Sequence, residues 1–148
     1  VSRDWSSDVC SSDLELWLKL DTANPTHSFK DRGVAVAAAK ARELGLTTLA
    51  CSSTGNLANA VAARAAADGF EAAVFTPAGL EREKLIATSV YGATLYAVQG
   101  SYDDVSRLTV ELSFELPWGF VNAALDKMAH RKRAKEFGEP VPDDELDF

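Results

Sequence analysis

Short apolar segments alternate with longer alanine-rich segments along the middle of this chain, and this alternation limits the folds available to it. The short segments predict strands, and the longer ones, several followed by a glycine, predict helices. The predicted strands are 15–20, 48–52, 72–76, 94–98 and 120–121, and the predicted helices are 28–44, 56–68, 81–91 and 102–115. Strands and helices that alternate at this spacing form parallel βα units. The prediction is a three-layer αβα fold of the α/β class, with helices on both faces of a parallel sheet of about four strands.

Two segments fall outside this pattern. Residues 1–14 contain a crude duplication, Ser-Ser-Asp-Val and then Ser-Ser-Asp-Leu, and show no helical or strand period. We interpret them as non-native, adaptor-like or disordered sequence. Residues 125–148 begin with a basic, helix-like run and end in an acidic tail broken by prolines. Residues 15–124 are therefore the part that we expect to form the α/β region.

Composition excludes several classes of function. The 148 residues carry a net charge of -7, whereas a nucleic-acid surface needs clustered Lys and Arg. Two cysteines, Cys10 and Cys51, are too few for a framework of several disulfides, and no CxxC pair is present. The apolar runs are too short to span a bilayer, and the first residues lack a secretory signal pattern. We expect a cytoplasmic protein that binds a small molecule, with neither a nucleic-acid nor a membrane partner.

Lys30 lies in the motif NPTHSFKDRG (residues 24–33), where the first alanine-rich helix begins. Ser28 and Asp31 have the spacing of a capping box. A cation in the first turn faces the positive end of the helix dipole, and Arg32 adds a second positive charge, so both favour the free amine. A free amine suits Schiff-base chemistry with a carbonyl. On these residues alone, a solvated lysine without a chemical role remains the alternative.

The motif CSSTGN (residues 51–56) follows a predicted strand and opens a helix. Backbone N–H groups at such a helix start face an anion, and the hydroxyls of Ser52, Ser53 and Thr54 add donors. Gly55 allows a close approach to the backbone. The turn could therefore hold a carboxylate or a phosphate. An ordinary helix N-cap remains the alternative, since the motif matches neither GxGxxG nor a P-loop.

The two histidines give weaker signals. His27 precedes the helix and is expected to be a partly exposed loop residue, and His130 lies in the 125–148 segment. No histidine and carboxylate cluster has metal-ligand spacing, so we expect no metal site.

Taken together, the two motifs, with Asn56 26 residues after Lys30, resemble those of the threonine synthases, pyridoxal-phosphate enzymes of the tryptophan synthase β-subunit fold. The segments LWLKLD, VFTPAG and ELPWGFVN agree with this resemblance, which covers about residues 15–124. It implies that the α/β region is a truncated form of the smaller domain of that fold.

The resemblance also implies roles for site residues. Lys30 would form the Schiff base with pyridoxal 5'-phosphate and later act as the general acid and base. Asn56 would donate a hydrogen bond to the phenolic oxygen of the cofactor, and Phe29 would pack near it. The α-carboxylate of the substrate would be received by three turn residues, Ser53, Thr54 and Gly55.

The implied reaction converts O-phosphohomoserine and water to threonine and phosphate. A threonine or serine dehydratase of the same fold is one alternative, although those enzymes usually show SGNH where this chain has TGNL. A non-catalytic α/β remnant is another, because the family takes its glycine-rich phosphate loop and the Ser or Thr beside the pyridine nitrogen from a later region that has no counterpart here. We therefore expect a portion of a longer enzyme, inactive by itself, whose full-length form could be a homo-oligomer.

Overall fold

The computed structural model describes residues 17–122, which form a four-stranded parallel sheet with four α-helices. The strands are β1 (Thr48–Ser52), β2 (Glu71–Pro77), β3 (Thr94–Val98) and β4 (Gly119–Phe120). The helices are α1 (Lys30–Glu43), α2 (Asn56–Asp68), α3 (Arg82–Ser89) and α4 (Tyr102–Glu115). The strand order is β3-β2-β1-β4. Within the described residues, no helix is long and apolar enough to cross a membrane.

The sheet is the middle of three layers, which confirms the predicted αβα architecture. Alternate residues of β1 point to opposite faces: Leu49 and Cys51 pack with α1 and α2, whereas Ala50 packs with Val105 of α4. The alanines of α1 and α2 let these helices approach each other and the sheet closely. They are Ala37, Ala38, Ala41, Ala58, Ala60 and Ala65. The third helix joins the α2 side, where the Thr88 hydroxyl donates to Asn59 Oδ1 at 2.7 Å.

The predicted strand at 15–20 is wrong over its described part. Residues 17–20 have no strand assignment and lead into a 3-10 turn, Asp21–Ala23. A half-buried strand needs one covered face, but Trp17, Leu18 and Leu20 are all exposed. The predictions for 1–14 and 125–148 lie outside the described residues, and the domain division remains a prediction.

The topology places the starts of α1 and α2 at one edge of the sheet. Both helices cover the same face, α1 leads into β1 through a short connection, and α2 follows β1 directly. Each helix therefore runs against the strand direction and begins at the carboxyl edge. The chain proceeds from β1 to β2 and β3 on one side, whereas β4 lies on the other side of β1. Open α/β sheets bind ligands at the carboxyl edge where the strand order reverses in this way.

Candidate active site at the carboxyl edge

Lys30 is the first residue of α1 and therefore lies at the carboxyl edge of the sheet. Its ammonium lies 5.1 Å from the centre of the Phe29 ring, in a cation–π arrangement. The side chain of Phe29 is 61% exposed, so the pair faces solvent rather than the core. Lys30 is a half-buried residue, and its primary amine lies beside an exposed aromatic ring at this edge.

The predicted capping box at Ser28 and Asp31 is wrong. Phe29 is the residue that precedes α1, and it already has helical backbone angles (φ -62, ψ -18), so Asp31 is only two positions beyond it. The Asp31 carboxylate instead accepts hydrogen bonds from the Thr26 N–H at 2.9 Å and the Thr26 hydroxyl at 2.7 Å. The Ser28 hydroxyl accepts from the Lys30 N–H at 3.2 Å. Asp31 therefore ties the preceding loop to the first turn of α1.

Further contacts fix the same loop ahead of Lys30. The Asn24 amide donates to the Ser28 carbonyl oxygen at 2.9 Å, and Arg32 pairs with Asp21 at 2.9 Å. The hydrogen bond from Arg32 lowers the pKa of Asp21. His27 has a left-handed backbone (φ 58) and is exposed, as predicted for a loop histidine. The chain path into Lys30 is thus set by side-chain contacts on both sides of His27.

Residues 53–56, called the 53–56 turn below, connect β1 to α2. Gly55 precedes the helix, and among residues 17–122 no side chain caps the first N–H groups of α2. The Gly55 N–H donates to the Ser53 hydroxyl at 3.3 Å, and the Ser53 N–H donates to the Phe75 carbonyl oxygen at 3.3 Å. A Cβ added at Gly55 would meet no atom within 4 Å. Free donors at a helix start, with open space in front, fit an anion such as a carboxylate.

The structure brings two more residues to this turn that the sequence did not single out. The Asn122 side chain bonds both backbone groups of Ser52, accepting from its N–H at 2.9 Å and donating to its carbonyl oxygen at 3.0 Å. The Tyr102 hydroxyl donates to the same carbonyl oxygen at 3.3 Å. Their only sequence signal was the presence of Asn122 in the ELPWGFVN segment, and nothing local links it to a residue 70 positions earlier.

Other features of residues 17–122 contribute little to chemistry at this edge. A cavity of about 380 Å³ lies at the opposite, amino edge of the sheet, near Thr48 and Thr94. Burial raises the pKa of Cys51 to about 12, so its thiol is not a nucleophile at neutral pH. No group of His, Cys, Asp and Glu among these residues could hold a metal ion.

Curated relatives of this chain are threonine synthases. The protein of Synechocystis sp. is 40% identical over 112 residues, which is 75% of this chain and 29% of the relative. The protein of Methanocaldococcus jannaschii is 40% identical over 102 residues, 68% of this chain and 25% of the relative. The chain therefore spans about a quarter to a third of the length of these relatives.

Solved structures show the same fold. An O-ureido-L-serine synthase superposes with a TM-score of 0.62 at 23% identity, covering 69% of this chain and 34% of that one. The processed form of threonine deaminase isoform 2 from Solanum lycopersicum also gives a TM-score of 0.62, at 22% identity, over 69% of this chain and 28% of the other. The family described as "Pyridoxal-phosphate dependent enzyme" matches residues 6–131. This chain therefore belongs to the pyridoxal-phosphate-dependent enzyme family, whose cofactor is pyridoxal 5'-phosphate.

Proposed function

We propose that this chain carries the lysine and substrate-carboxylate side of a threonine synthase site. The reaction would convert O-phosphohomoserine and water to threonine and phosphate. The observation that carries the proposal is that the start of α1, with Lys30, and the 53–56 turn lie at the same carboxyl edge of the sheet. The names of the curated relatives support the choice of reaction within the family.

Lys30 is the residue that we propose to hold the cofactor covalently. Its primary amine is the group that would bond covalently to the aldehyde carbon of pyridoxal phosphate. Once bound, the cofactor supplies an electron sink for the carbon bonds next to the substrate nitrogen. The Lys30 amine would also serve as the base and acid that takes and returns protons at the neighbouring substrate carbons. The Phe29 ring, which lies beside the Lys30 amine, would form one wall of the space around that amine.

The 53–56 turn is the part that we propose to orient the substrate. The N–H groups at the start of α2 lack a side-chain cap, so a carboxylate there would gain hydrogen bonds without displacing a protein group. Ser53, Thr54 and Gly55 would receive the α-carboxylate. Asn56, the first residue of α2 and exposed, would donate its side-chain amide to the phenolic oxygen of the cofactor.

Labelling of Lys30 tests the covalent step. Pyridoxal phosphate is added to the purified chain, borohydride reduces the carbon–nitrogen double bond to a stable amine, and peptide mass spectrometry locates the adduct. Lys30→Arg keeps the positive charge beside Phe29 but removes the primary amine. Lys40→Arg makes the same change in the same helix, at a lysine paired with Glu43. We expect Lys30→Arg to abolish the main adduct and Lys40→Arg to leave it unchanged; an equal pattern in both variants would refute the role of Lys30.

Two substrate assays test the reaction itself. We expect the isolated chain to form the adduct but not to release phosphate from O-phosphohomoserine, because the resemblance assigns the loop that binds the cofactor phosphate to another part of the family's enzymes. A longer version that contains this loop should release phosphate. Release of ammonia and a 2-oxo acid from threonine by that version would instead assign it to the dehydratases. If neither version formed the adduct, the non-catalytic remnant would be the better description.

The remaining expectations rest on composition and resemblance. The cytoplasmic location, the lack of a nucleic-acid or membrane partner and the homo-oligomeric full-length form remain predictions. The small-molecule amino-acid substrate has the additional support of the threonine synthase relatives.

A further inference from the structure

We propose that Asn122 is a positioning residue for the 53–56 turn, and that its side-chain amide takes the place of a strand partner that β4, within the described residues, does not provide beside Ser52. This inference rests on the proposed function, because it assigns Asn122 the task of holding the turn that would receive the substrate. It concerns the shape of the turn and not contact with the substrate.

The pairing of β1 with β2 extends further along β1 than the pairing of β1 with β4. On the β2 side, the register continues to the last residue of β1, where Ser52 pairs with Phe75. On the β4 side, the pairing covers only Leu49 with Gly119 and Ala50 with Phe120. The N–H and C=O of one strand residue point to the same side, so those of Ser52 follow Ala50 toward β4. The N–H and C=O of Ser52 therefore lie beyond the last residue of β4.

Asn122 satisfies both of these backbone groups. Its Oδ1 accepts from the Ser52 N–H at 2.9 Å, and its Nδ2 donates to the Ser52 carbonyl oxygen at 3.0 Å. An asparagine side chain has one acceptor and one donor group in the arrangement of a peptide unit, so it can continue a ladder for one step. Tyr102 cannot replace it, because its hydroxyl reaches only the carbonyl oxygen. Among the described residues, Asn122 is the acceptor for the Ser52 N–H.

The loss of these bonds would affect the turn because Ser52 is the residue directly before it. Ser53 is held from the β2 side through its N–H and the Phe75 carbonyl oxygen. Asn122 holds the neighbouring residue from the β4 side, at the point where the strand order reverses. Ser52 is only 2% exposed, so water would replace the lost bonds poorly. Without Asn122, only the 3.3 Å hydrogen bond from Tyr102 would hold the backbone groups of Ser52 on that side. Small displacements of binding groups weaken catalysis strongly.

The test compares Asn122→Ala, which removes both bonds, with Asn122→Asp, which keeps the size but places an oxygen against the Ser52 carbonyl oxygen. Thr88→Val is the matched control, because it removes a buried hydrogen bond to Asn59 elsewhere in the fold. Amide hydrogen exchange and ¹⁵N NMR spectra are recorded for the full chain. The 53–56 amides are then followed during titration with O-phosphohomoserine.

We expect exchange at Ser52 and the 53–56 turn to accelerate on the order of tenfold or more in Asn122→Ala, because both hydrogen bonds to Ser52 are lost. The concentration of O-phosphohomoserine for half response should rise by a similar factor in both Asn122 variants. Exchange at Leu49 and Val74 should change no more than in Thr88→Val. Unchanged exchange at residues 52–56, or equal acceleration throughout the sheet, would overturn the inference.

The two proposals fail separately. If the turn of the wild-type chain does not respond to O-phosphohomoserine, the proposed substrate role of the turn is wrong. The exchange pattern then decides about Asn122: acceleration confined to residues 52–56 supports it, and its absence overturns it. If the wild-type turn responds and both Asn122 variants respond equally well, the substrate role stands and the positioning role is wrong.

Discussion

A side chain added at Gly119 should destabilise the fold while Leu49 is present, and this tests how β4 packs against β1. These two residues are register partners, and a Cβ built at Gly119 lies 3.2 Å from Leu49 Cδ2 and 3.3 Å from the Ala41 Cβ. Leu49 is fully buried, and Ala41 belongs to α1, so neither atom can move far. The position of β4 matters for the site because β4 leads directly to Asn122.

The expected energies follow from packing. Extra carbon atoms in a filled core cost about 1–3 kcal/mol, and Gly→Ala regains about 0.4–1 kcal/mol from the unfolded chain. Gly119→Ala should therefore lower the free energy of unfolding by up to about 2.5 kcal/mol. Leu49→Ala should lower it by about 2–5 kcal/mol, since it leaves a cavity. In the double variant, the new methyl group enters that cavity. The combined loss should therefore be smaller than the sum by about 1 kcal/mol or more.

Urea unfolding followed by circular dichroism measures these values, with the free energy obtained by linear extrapolation. If Leu49→Ala leaves too little folded protein, Leu49→Val provides a milder version of the same cycle. Additive losses, within about 0.5 kcal/mol, would show that the Gly119 methyl does not meet Leu49. A Gly119→Ala variant more stable than the wild type would refute the packing argument altogether.

Three further predictions concern individual side chains. Asp31→Asn should weaken the two charge-assisted hydrogen bonds that Asp31 accepts from Thr26. We therefore expect it to lower the free energy of unfolding by about 1–2 kcal/mol, measured by urea unfolding, and to slow the labelling of Lys30, measured by the borohydride assay. Hydrogen bonds from Ser101 lower the pKa of Asp104. The ionised Asp104 carboxylate therefore stabilises the fold at pH values above the ordinary carboxyl pKa, and this stabilisation is lost as the pH falls through the lowered pKa. Asp104→Asn should therefore weaken the loss of stability in acid, as seen by unfolding at several pH values below about 4. Cys51 should be labelled by a thiol reagent only on unfolding, and fast labelling of Cys51 itself in the native chain, located by peptide mass spectrometry to separate it from Cys10, would contradict its burial.

Elements defined by local signals could be predicted from the sequence. The bounds of β1 and α2 agree with the predicted 48–52 and 56–68. A run of five buried residues forms the strand, and Gly69 ends the helix in the left-handed conformation (φ 77) that glycine adopts easily. Both signals depend only on neighbouring residues, which is why the local pattern was sufficient.

Features that depend on distant partners could not be predicted. The alternation in 15–20 could not show whether another strand would pair with it, and its described residues are exposed. The spacing of Ser28 and Asp31 suggested a cap, but the helix begins one residue too late, and Asp31 contacts Thr26 instead. The contact between Asn122 and Ser52 arises only when β4 pairs beside β1.

The placement of the candidate site was partly predictable. A helix start after β1 was expected from the glycine and the hydroxyl residues of the 53–56 turn, and the structure has α2 beginning at Asn56. Lys30 lies at the same edge of the sheet because α1 runs against the direction of the strands and begins there. The direction of a helix relative to the sheet is set by the fold, and the only sequence signal for it was the alternation of strands and helices.

The central claim is that Lys30 and the 53–56 turn belong to one cofactor site. The most direct test adds pyridoxal phosphate to the ¹⁵N-labelled chain, reduces it with borohydride, and records amide shifts together with the labelled peptide. We predict a label on Lys30 and shifts at residues 53–56, with Thr48 and Thr94 at the opposite edge unchanged. A label on another lysine, or a label on Lys30 that leaves the 53–56 amides in place, would contradict the claim.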